Sequence, residues 1–331
     1  MLKDKKMDPI SAIKQNKMVD RLDELLGSSY VMQGVYKQII KAASTDVLVL
    51  LIGESGTGKD LAATAIHSFS SRRNGPYAPI NLSALPTTLM ASALFGHEKG
   101  AFTGAIADSK GAFEKGKNGT VFLDEIGSID TQTQVSLLRM LENKKFRMLG
   151  GKREIENNAR IIAATNSNLE KLIQENSFRR DLYYRLDVFR ISMPPLRDKK
   201  GDIPTLVDHF LGEFNAKFNK NIKKVSSECH QLFLENDWPG NVRELKNVIQ
   251  RAVVECEGSE ITPANLPPRF RANRKSKSAI RFQVGTPLKK IEREMIVQTL
   301  GAVNNNRTEA AALLGLSRRG FYNKLNKYDI K

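Results

Sequence analysis

Cysteine, histidine and long apolar runs are all scarce in this chain. Its 331 residues include two cysteines, Cys229 and Cys256, far apart in sequence and expected to be reduced, buried and structural. The four histidines form no metal-type cluster. His97 opens "HEKGA", but alanine stands at position 101 where H-E-x-x-H needs a second histidine, which excludes a zinc protease. The longest aliphatic run, residues 47–52, is far too short to span a membrane. The N-terminus "MLKDKKMDPI" has charge without an apolar signal core, so a cytoplasmic location is expected. With 40% hydrophobic and 27% charged residues, disorder throughout is excluded, and the length predicts two or three domains.

Positive charge is abundant and unevenly spread. The net charge is +16, and residues 269–331 hold 15 Lys and Arg against 4 Asp and Glu. That segment carries +11 and the rest of the chain only +5. A basic end on a near-balanced body suggests a nucleic-acid contact there. Charge alone leaves a solvated basic tail equally open.

Residues 1–24 are polar, with weak helical periodicity, and are expected to form no domain. Beyond them short β-rich runs occur at 46–52, 77–82, 119–125, 159–165 and 187–193. Helical stretches lie between, such as 131–143 with Val135, Leu138 and Leu141 on one face. This alternation predicts an α/β fold, a parallel sheet covered by helices, over 25–198. The strands then stop, and 202–218, 226–236 and 241–256 read as helices of a smaller domain, 199–268. Residues 269–285 read as a flexible basic linker. A final helical domain, 286–331, is expected to start with Thr286 as N-cap and Pro287 as first helical residue. There is no internal repeat.

"GESGTGKD" (53–60) follows a hydrophobic strand and opens a helical stretch. It fits G-x-x-x-x-G-K. Gly53, Gly56 and Gly58 let the backbone N–H groups of Glu54, Ser55 and Thr57 curl around phosphates, and Lys59 reaches their outer oxygens. Asp60 replaces the hydroxyl residue that normally helps hold Mg²⁺, and could reach the metal through water. "VFLDEI" (121–126) delivers Asp124 and Glu125 at a strand's C-terminal end, where such sheets bind ligands. Asp124 suits Mg²⁺ and Glu125 suits polarising a water. The bland alternative is an acidic pair capping the next helix. Together these motifs imply ATP, Mg²⁺ and an ATPase of the AAA+ kind with a helical lid.

"GESGTGKD", "FGHEKGAFTGA", "FLDEIG", "FRRDLYYRL", "PPLR" and "WPGNVREL" jointly resemble the bacterial enhancer-binding proteins, the activators of sigma-54 RNA polymerase. The resemblance covers about residues 25 to 331. It implies that Asn81 is a switch holding Glu125 from water, and that Thr165 and Asn166 sense the γ-phosphate. It implies that Arg179 and Arg185 reach a neighbouring subunit's site, and that Arg243 lets the lid follow nucleotide state. An arginine supplied in trans accelerates such chemistry about a thousandfold or more. It also requires a homo-oligomer, dimers assembling to a hexamer-like ring. Gly100, Ala101, Phe102, Thr103, Gly104 and Ala105 would form a mobile loop on glycine hinges that contacts sigma-54 holoenzyme, with Phe102 and Thr103 at its tip, Phe102 tucking into the core in a resting state being the alternative. Two other readings, an unrelated AAA+ machine and a DNA-binding regulator with a dead nucleotide fold, sit poorly with that loop and with the complete catalytic set. Family members often carry an N-terminal sensing domain; only about 24 residues precede the ATPase region here, and no phosphoacceptor is assigned.

The segment 304–330 reads as two helices with a tight turn. Ala310, Ala311 and Leu314 give the first an apolar face, Gly315 ends it, Leu316 plugs the core and Ser317 caps the second. This resembles the Fis-type helix-turn-helix that ends these activators, and implies double-stranded enhancer DNA as partner. Arg307, Ser317, Arg318, Arg319, Asn323 and Lys324 are the expected DNA contacts, while Phe321 and Leu325 pack inward.

Overall fold

The computed structural model describes residue 13 and residues 18–272, 282, 284–303 and 305–330. The chain divides into two compact units between Asn265 and Leu266. Most of the expected linker, 273–281 and 283, lies outside the described residues, as do 1–12 and 14–17.

Five strands form the sheet of the first unit: β1 (Val49–Ile52), β2 (Tyr77–Asn81), β3 (Thr120–Asp124), β4 (Arg160–Thr165) and β5 (Phe189–Ser192). Their order is β2-β3-β4-β1-β5, all parallel. All five expected strands are present, each shorter than its sequence run. Side chains alternate between two cores as strand periodicity demands. Leu50, Val121, Leu123, Ile161 and Ala163 enter one core, and Val49, Leu51, Phe122, Ile162, Ala164 and Ile191 the other. With helices on both faces, β4 is buried at all six positions, which explains its uninterrupted apolar run. Truncating Leu123, fully buried, would cost about 2–5 kcal/mol.

The longer helices are α1 (Tyr30–Ala43), α2 (Lys59–Ser68), α3 (Thr87–Phe95), α4 (Thr131–Asn143) and α5 (Arg180–Leu186), then α6 (Ile203–Phe218), α7 (Ser227–Glu235) and α8 (Asn241–Glu255). Asp130 caps α4 by accepting the Gln132 and Thr133 N–H groups, both at 2.9 Å. The buried face of α4 runs through Gln134, Leu137, Met140 and Leu141; Val135 and Leu138 are only half-buried, so the expected face is rotated. Cys229 and Cys256 are buried and unpaired, among the helices of the lid region.

Two expectations need correction here. Strands do not stop after β5, because Lys224–Val225 pairs in parallel with Glu260–Ile261 within the lid. The boundary at residue 24 cuts through a hairpin, Arg21–Leu22 against Leu25–Leu26. Leu22 is fully buried beside α1, and the Gln33 amide bonds to the backbone of Val19. Apolar burial thus recruits residues before 25 into the ATPase body.

The second unit contains α9 (Leu288–Ala302), α10 (Arg307–Leu313) and α11 (Arg318–Lys327) around Ile296, Leu300, Ala310, Ala311, Phe321, Leu325 and Tyr328. Pro287 is the N-cap of α9, one residue later than expected. Gly315 adopts φ +64°, the left-handed turn that ends α10, and the Ser317 hydroxyl accepts the Gly320 N–H to start α11.

Candidate functional site

The C-terminal ends of β1, β3 and β4 converge on a polar cavity of about 510 Å³. Its walls include Ser55, Gly56, Gly58, Lys59, Asp60, Asn81, Asp124, Glu125, Asn166 and Arg243. The loop from Gly53 to α2 is fixed by its own backbone. Gly53 N–H donates to Thr165 O at 3.2 Å, and the Thr57 hydroxyl to Glu54 O at 2.8 Å. Gly56 and Gly58 take φ +78° and +96°, which β-carbon-bearing residues adopt only under strain. A Cβ on Gly56 would also come within 2.4 Å of the Gly240 carbonyl oxygen. The loop therefore needs glycine there partly for the lid that rests on it. Lys59 is buried, its ammonium donating to Gly53 O at 2.8 Å and Glu54 O at 3.3 Å, with a Glu125 carboxylate oxygen at 3.8 Å.

Lid residues hold this loop from the other side. The Asn241 amide donates to Glu54 at 3.1 Å and to Ser55 O at 3.0 Å, and the Arg243 guanidinium to the Ser55 hydroxyl at 2.8 Å. Arg197 forks onto Glu54 at 2.9 and 2.6 Å. The Arg197 and Asn241 hydrogen bonds pull the Glu54 carboxyl down to about 2. Neither Asn241 nor Arg197 stands out in the sequence, although both lie inside "WPGNVREL" and "PPLR".

Asp124 and Glu125 share the cavity wall but differ in environment. Burial, and then the Glu125 charge, push the Asp124 carboxyl up. Glu125 sits at φ +57°, in the left-handed region, and accepts the Asn166 N–H at 3.0 Å. Strain of that kind costs about 1–3 kcal/mol and concentrates at working sites. Asn81 does not hold Glu125. Its amide donates to Asp124 at 3.1 Å, and its carbonyl accepts Ser83 and Ala84, because strand register sets Asn81 opposite Asp124. Asn166 lines the cavity, whereas Thr165 is buried and its hydroxyl caps Ser167 N–H.

Arg179 and Arg185 lie on the surface and line no part of this chain's own phosphate cavity. Arg179 forks onto Asp181, and Arg185 approaches Glu142 at 3.8 Å. The fully buried Gln134 accepts Arg179 N–H at 2.8 Å and donates to Ile129 O and Ser177 O. This polar core residue positions α5, and its role is hidden inside an ordinary helical pattern.

Beside the phosphate cavity lies a second one, of about 200 Å³, which shares Gly58 with it. Leu25, Leu26, Leu61, Leu206, Phe210 and Val242 give it apolar walls. An apolar slot adjoining a phosphate loop suits a nucleoside base. The N-terminal hairpin supplies part of it, which the sequence pattern does not reveal.

The glycine-rich loop leaves α3 at Gly96. His97 and Ser109 exchange backbone hydrogen bonds at 3.0 and 2.9 Å, closing the stem, and Leu149 ties it to a neighbouring ribbon through Gly96 O and Glu98 N. Gly100 and Gly104 have positive φ and open space around them. Thr103 and Gly104 are exposed and Ala105 is buried. Phe102 is half-buried, edge-on to the His97 ring at 4.9 Å, in keeping with the alternative of a ring turned inward rather than held at the tip. Ile106, which the motif does not include, is 84% exposed.

In the second unit Ser317, Arg318, Arg319 and Asn323 are exposed. Arg307 is exposed and stacks over Tyr322 at 5.7 Å. Lys324 departs from expectation. Its ammonium is held by Glu292 of α9, which also takes the Tyr328 hydroxyl, so it is committed to the fold.

Phosphate loop, acidic strand end, sheet order and helical lid define a P-loop ATPase of the AAA+ kind, with a helix-turn-helix in a separate unit. Comparison with known families agrees in three places. Residues 25–192 match the sigma-54 interaction domain, 197–281 the AAA+ ATPase lid domain, and 287–328 the Fis family of bacterial regulatory proteins. The chain belongs to the sigma-54 interaction domain family, whose domain is an AAA+ ATPase. It is similar to the nitrogen fixation protein AnfA of Azotobacter vinelandii, 43% identical over 306 residues. That match covers 92% of this chain and 57% of AnfA. It is similar to the DNA-binding transcriptional regulator NtrC of Azospirillum brasilense, 39% identical over 93% of this chain and 70% of NtrC. A crystal structure of NtrX from Brucella abortus in complex with ATP matches with TM-score 0.69 and 28% identity, covering 94% of this chain and 71% of NtrX. No helix among the described residues is long and apolar enough to cross a membrane.

Proposed function

We propose that this chain is a sigma-54-dependent transcriptional activator that binds enhancer DNA, assembles into a ring and remodels the polymerase holoenzyme by hydrolysing ATP. The observation that carries this reading is the stemmed, glycine-hinged loop on the same unit as a complete phosphate site. A machine that only bound nucleotide would have no use for an exposed Thr103 on hinges with free space around them.

Lys59 now rests on the carbonyl oxygens of its own loop. Triphosphate offers that ammonium stronger, charged acceptors, so binding turns Lys59 outward and loosens its grip on Glu125. Glu125 then takes the proton of a water attacking the γ-phosphate, the bond to the bridging oxygen breaks and ADP leaves. A divalent cation fits the site. Asp124 has a carboxyl raised by burial and by Glu125, which a positive ion would relieve, and Asp60 lines the same cavity. Mg²⁺ is commonly held by one or two carboxylates plus substrate phosphates, and no cluster of three ligating side chains occurs among the described residues. Bound there, it would neutralise phosphate charge.

Asn166 joins the γ-phosphate to Glu125 through the backbone bond it already donates, and Arg243 joins it to the lid. Arg179 and Arg185, exposed on one edge, serve a neighbouring subunit. The loop, residues 100–105, rises and falls with that cycle, and its contact is extended by Ile106. The second unit anchors the assembly through Arg307, Ser317, Arg318, Arg319 and Asn323.

The test is open-complex formation at a sigma-54 promoter with purified chain, sigma-54 polymerase and either ATP or a non-hydrolysable analogue. Opening with ATP alone is expected. Opening with the analogue, or none with ATP beside normal ATPase, would overturn the reading.

A further inference from the structure

The run Arg197, Asp198, Lys199, Lys200 carries four charges, and three of them stay at or near the surface. Lys199 does not. Its backbone breaks the surrounding turn at φ −133° and ψ 42°, and the residue is only 4% exposed. Among the described residues its single hydrogen-bond partner is the Met32 sulfur at 3.3 Å, a weak acceptor. The nearby Asp202 carboxylate is turned to Ser29. Its two oxygens take the Ser29 N–H and the Ser29 hydroxyl, each at 2.7 Å. Burial lowers the ammonium to about 8, with Asp202 opposing. A fold that merely needed volume here would use methionine or leucine.

Lys199 lines the 200 Å³ cavity beside the phosphate loop. The other charged side chains on that wall are engaged. Lys246 pairs with Glu213 at 2.8 Å and lies over the Phe210 ring, and Glu24 pairs with Arg21 at 2.7 Å. His209 packs edge-on to Phe210. Lys199 is therefore the buried donor with hydrogen-bonding capacity to spare on a wall whose other charged groups are paired.

We propose that Lys199 reads the base of the bound nucleotide, its ammonium donating to a ring nitrogen of a purine. The inference rests on the nucleotide reading above. Four single bonds carry the ammonium, so it can leave the sulfur for a nitrogen lone pair without moving the backbone. The apolar walls sandwich the ring and Lys199 supplies the directional contact, the usual division of labour in such slots.

Binding of ATP, of 1-deaza-, 3-deaza- and 7-deaza-ATP, and of inorganic tripolyphosphate would be measured on the full chain and on Lys199→Met. Methionine matches the stem and is apolar, so the variant is expected to fold with an undiminished melting temperature. In the unsubstituted chain one deaza analogue should bind about tenfold or more weakly than ATP, the loss typical of a hydrogen bond to a charged donor. Lys199→Met should lose a similar factor for ATP, no longer distinguish that analogue, and bind tripolyphosphate unchanged. Equal binding of ATP and all three analogues by the unsubstituted chain would overturn the proposal. So would a Lys199→Met chain that keeps the discrimination. If Lys199→Met fails to fold, Lys199→Gln, whose amide still donates, should bind ATP between the two extremes, and full affinity there would overturn it. If neither ATP nor tripolyphosphate binds the unsubstituted chain, the nucleotide reading falls first and this one with it.

Discussion

The phosphate loop and the last helix both carry positive charge suited to phosphate, and they hold it in opposite ways. Lys59 is buried, gripped by two carbonyl oxygens and set against Glu125. Arg318 and Arg319 stand exposed at the start of α11. A charge that must stabilise a reacting phosphate is worth most when fixed and shielded from water. A charge that neutralises a DNA backbone needs sign and access, and its effect is screened by salt. Lys324 marks the border between these uses: it has the right sign and helix, but Glu292 has claimed it for the fold.

Substitutions should separate the two regions in order of effect. Arg179→Ala and Arg185→Ala should each lower ATPase about a thousandfold while nucleotide binding survives. Activity of the unsubstituted chain should then rise more steeply than linearly with protein concentration, and strict proportionality would argue against arginines in trans. Lys59→Ala should abolish ATP binding and reduce hydrolysis by at least about a hundredfold, read as steady-state ATPase. Persistent activity would remove the phosphate-loop assignment. Arg318→Ala with Arg319→Ala should weaken enhancer binding and flatten its salt dependence by about one unit of slope for each arginine that touches a phosphate, leaving ATPase unchanged. Gly56→Ala should cost about 1–3 kcal/mol through its positive φ and its approach to Gly240, seen as a lower melting temperature and weaker ATP binding. Lys324→Ala should scarcely change DNA affinity and should lower the melting temperature of the second unit only slightly, since the ion pair is partly exposed and Glu292 keeps the Tyr328 hydroxyl. A large fall in affinity with unchanged stability would return Lys324 to the DNA face.

The sequence exposes what is local and periodic. The five strands can be seen because a buried parallel sheet needs short continuous apolar runs, and the phosphate loop because its glycines and lysine are contiguous. It conceals what topology brings together. Asn241 reaches Glu54 across 187 positions, Gln134 fixes Arg179 across 45, and Glu292 takes Lys324 across 32. No spacing rule encodes such partners. Asn81 shows the same limit from the other side. The family resemblance implies a switch on Glu125, yet strand register pairs it with Asp124 one residue earlier. In the sequence Phe102 is open between tip and interior for a related reason, since glycine hinges say that a loop can move and not where its ring comes to rest.

The central claim is that hydrolysis at Lys59, Asp124 and Glu125 becomes mechanical work at the glycine-hinged loop. Its most direct measurement pairs ATPase with open-complex formation for Thr103→Ala, which trims an exposed side chain without disturbing the stem. ATPase within about twofold of the unsubstituted chain, with promoter opening reduced about a hundredfold, the scale of truncating an interface hot spot, is the expected result. Promoter opening that keeps pace with ATPase would contradict it.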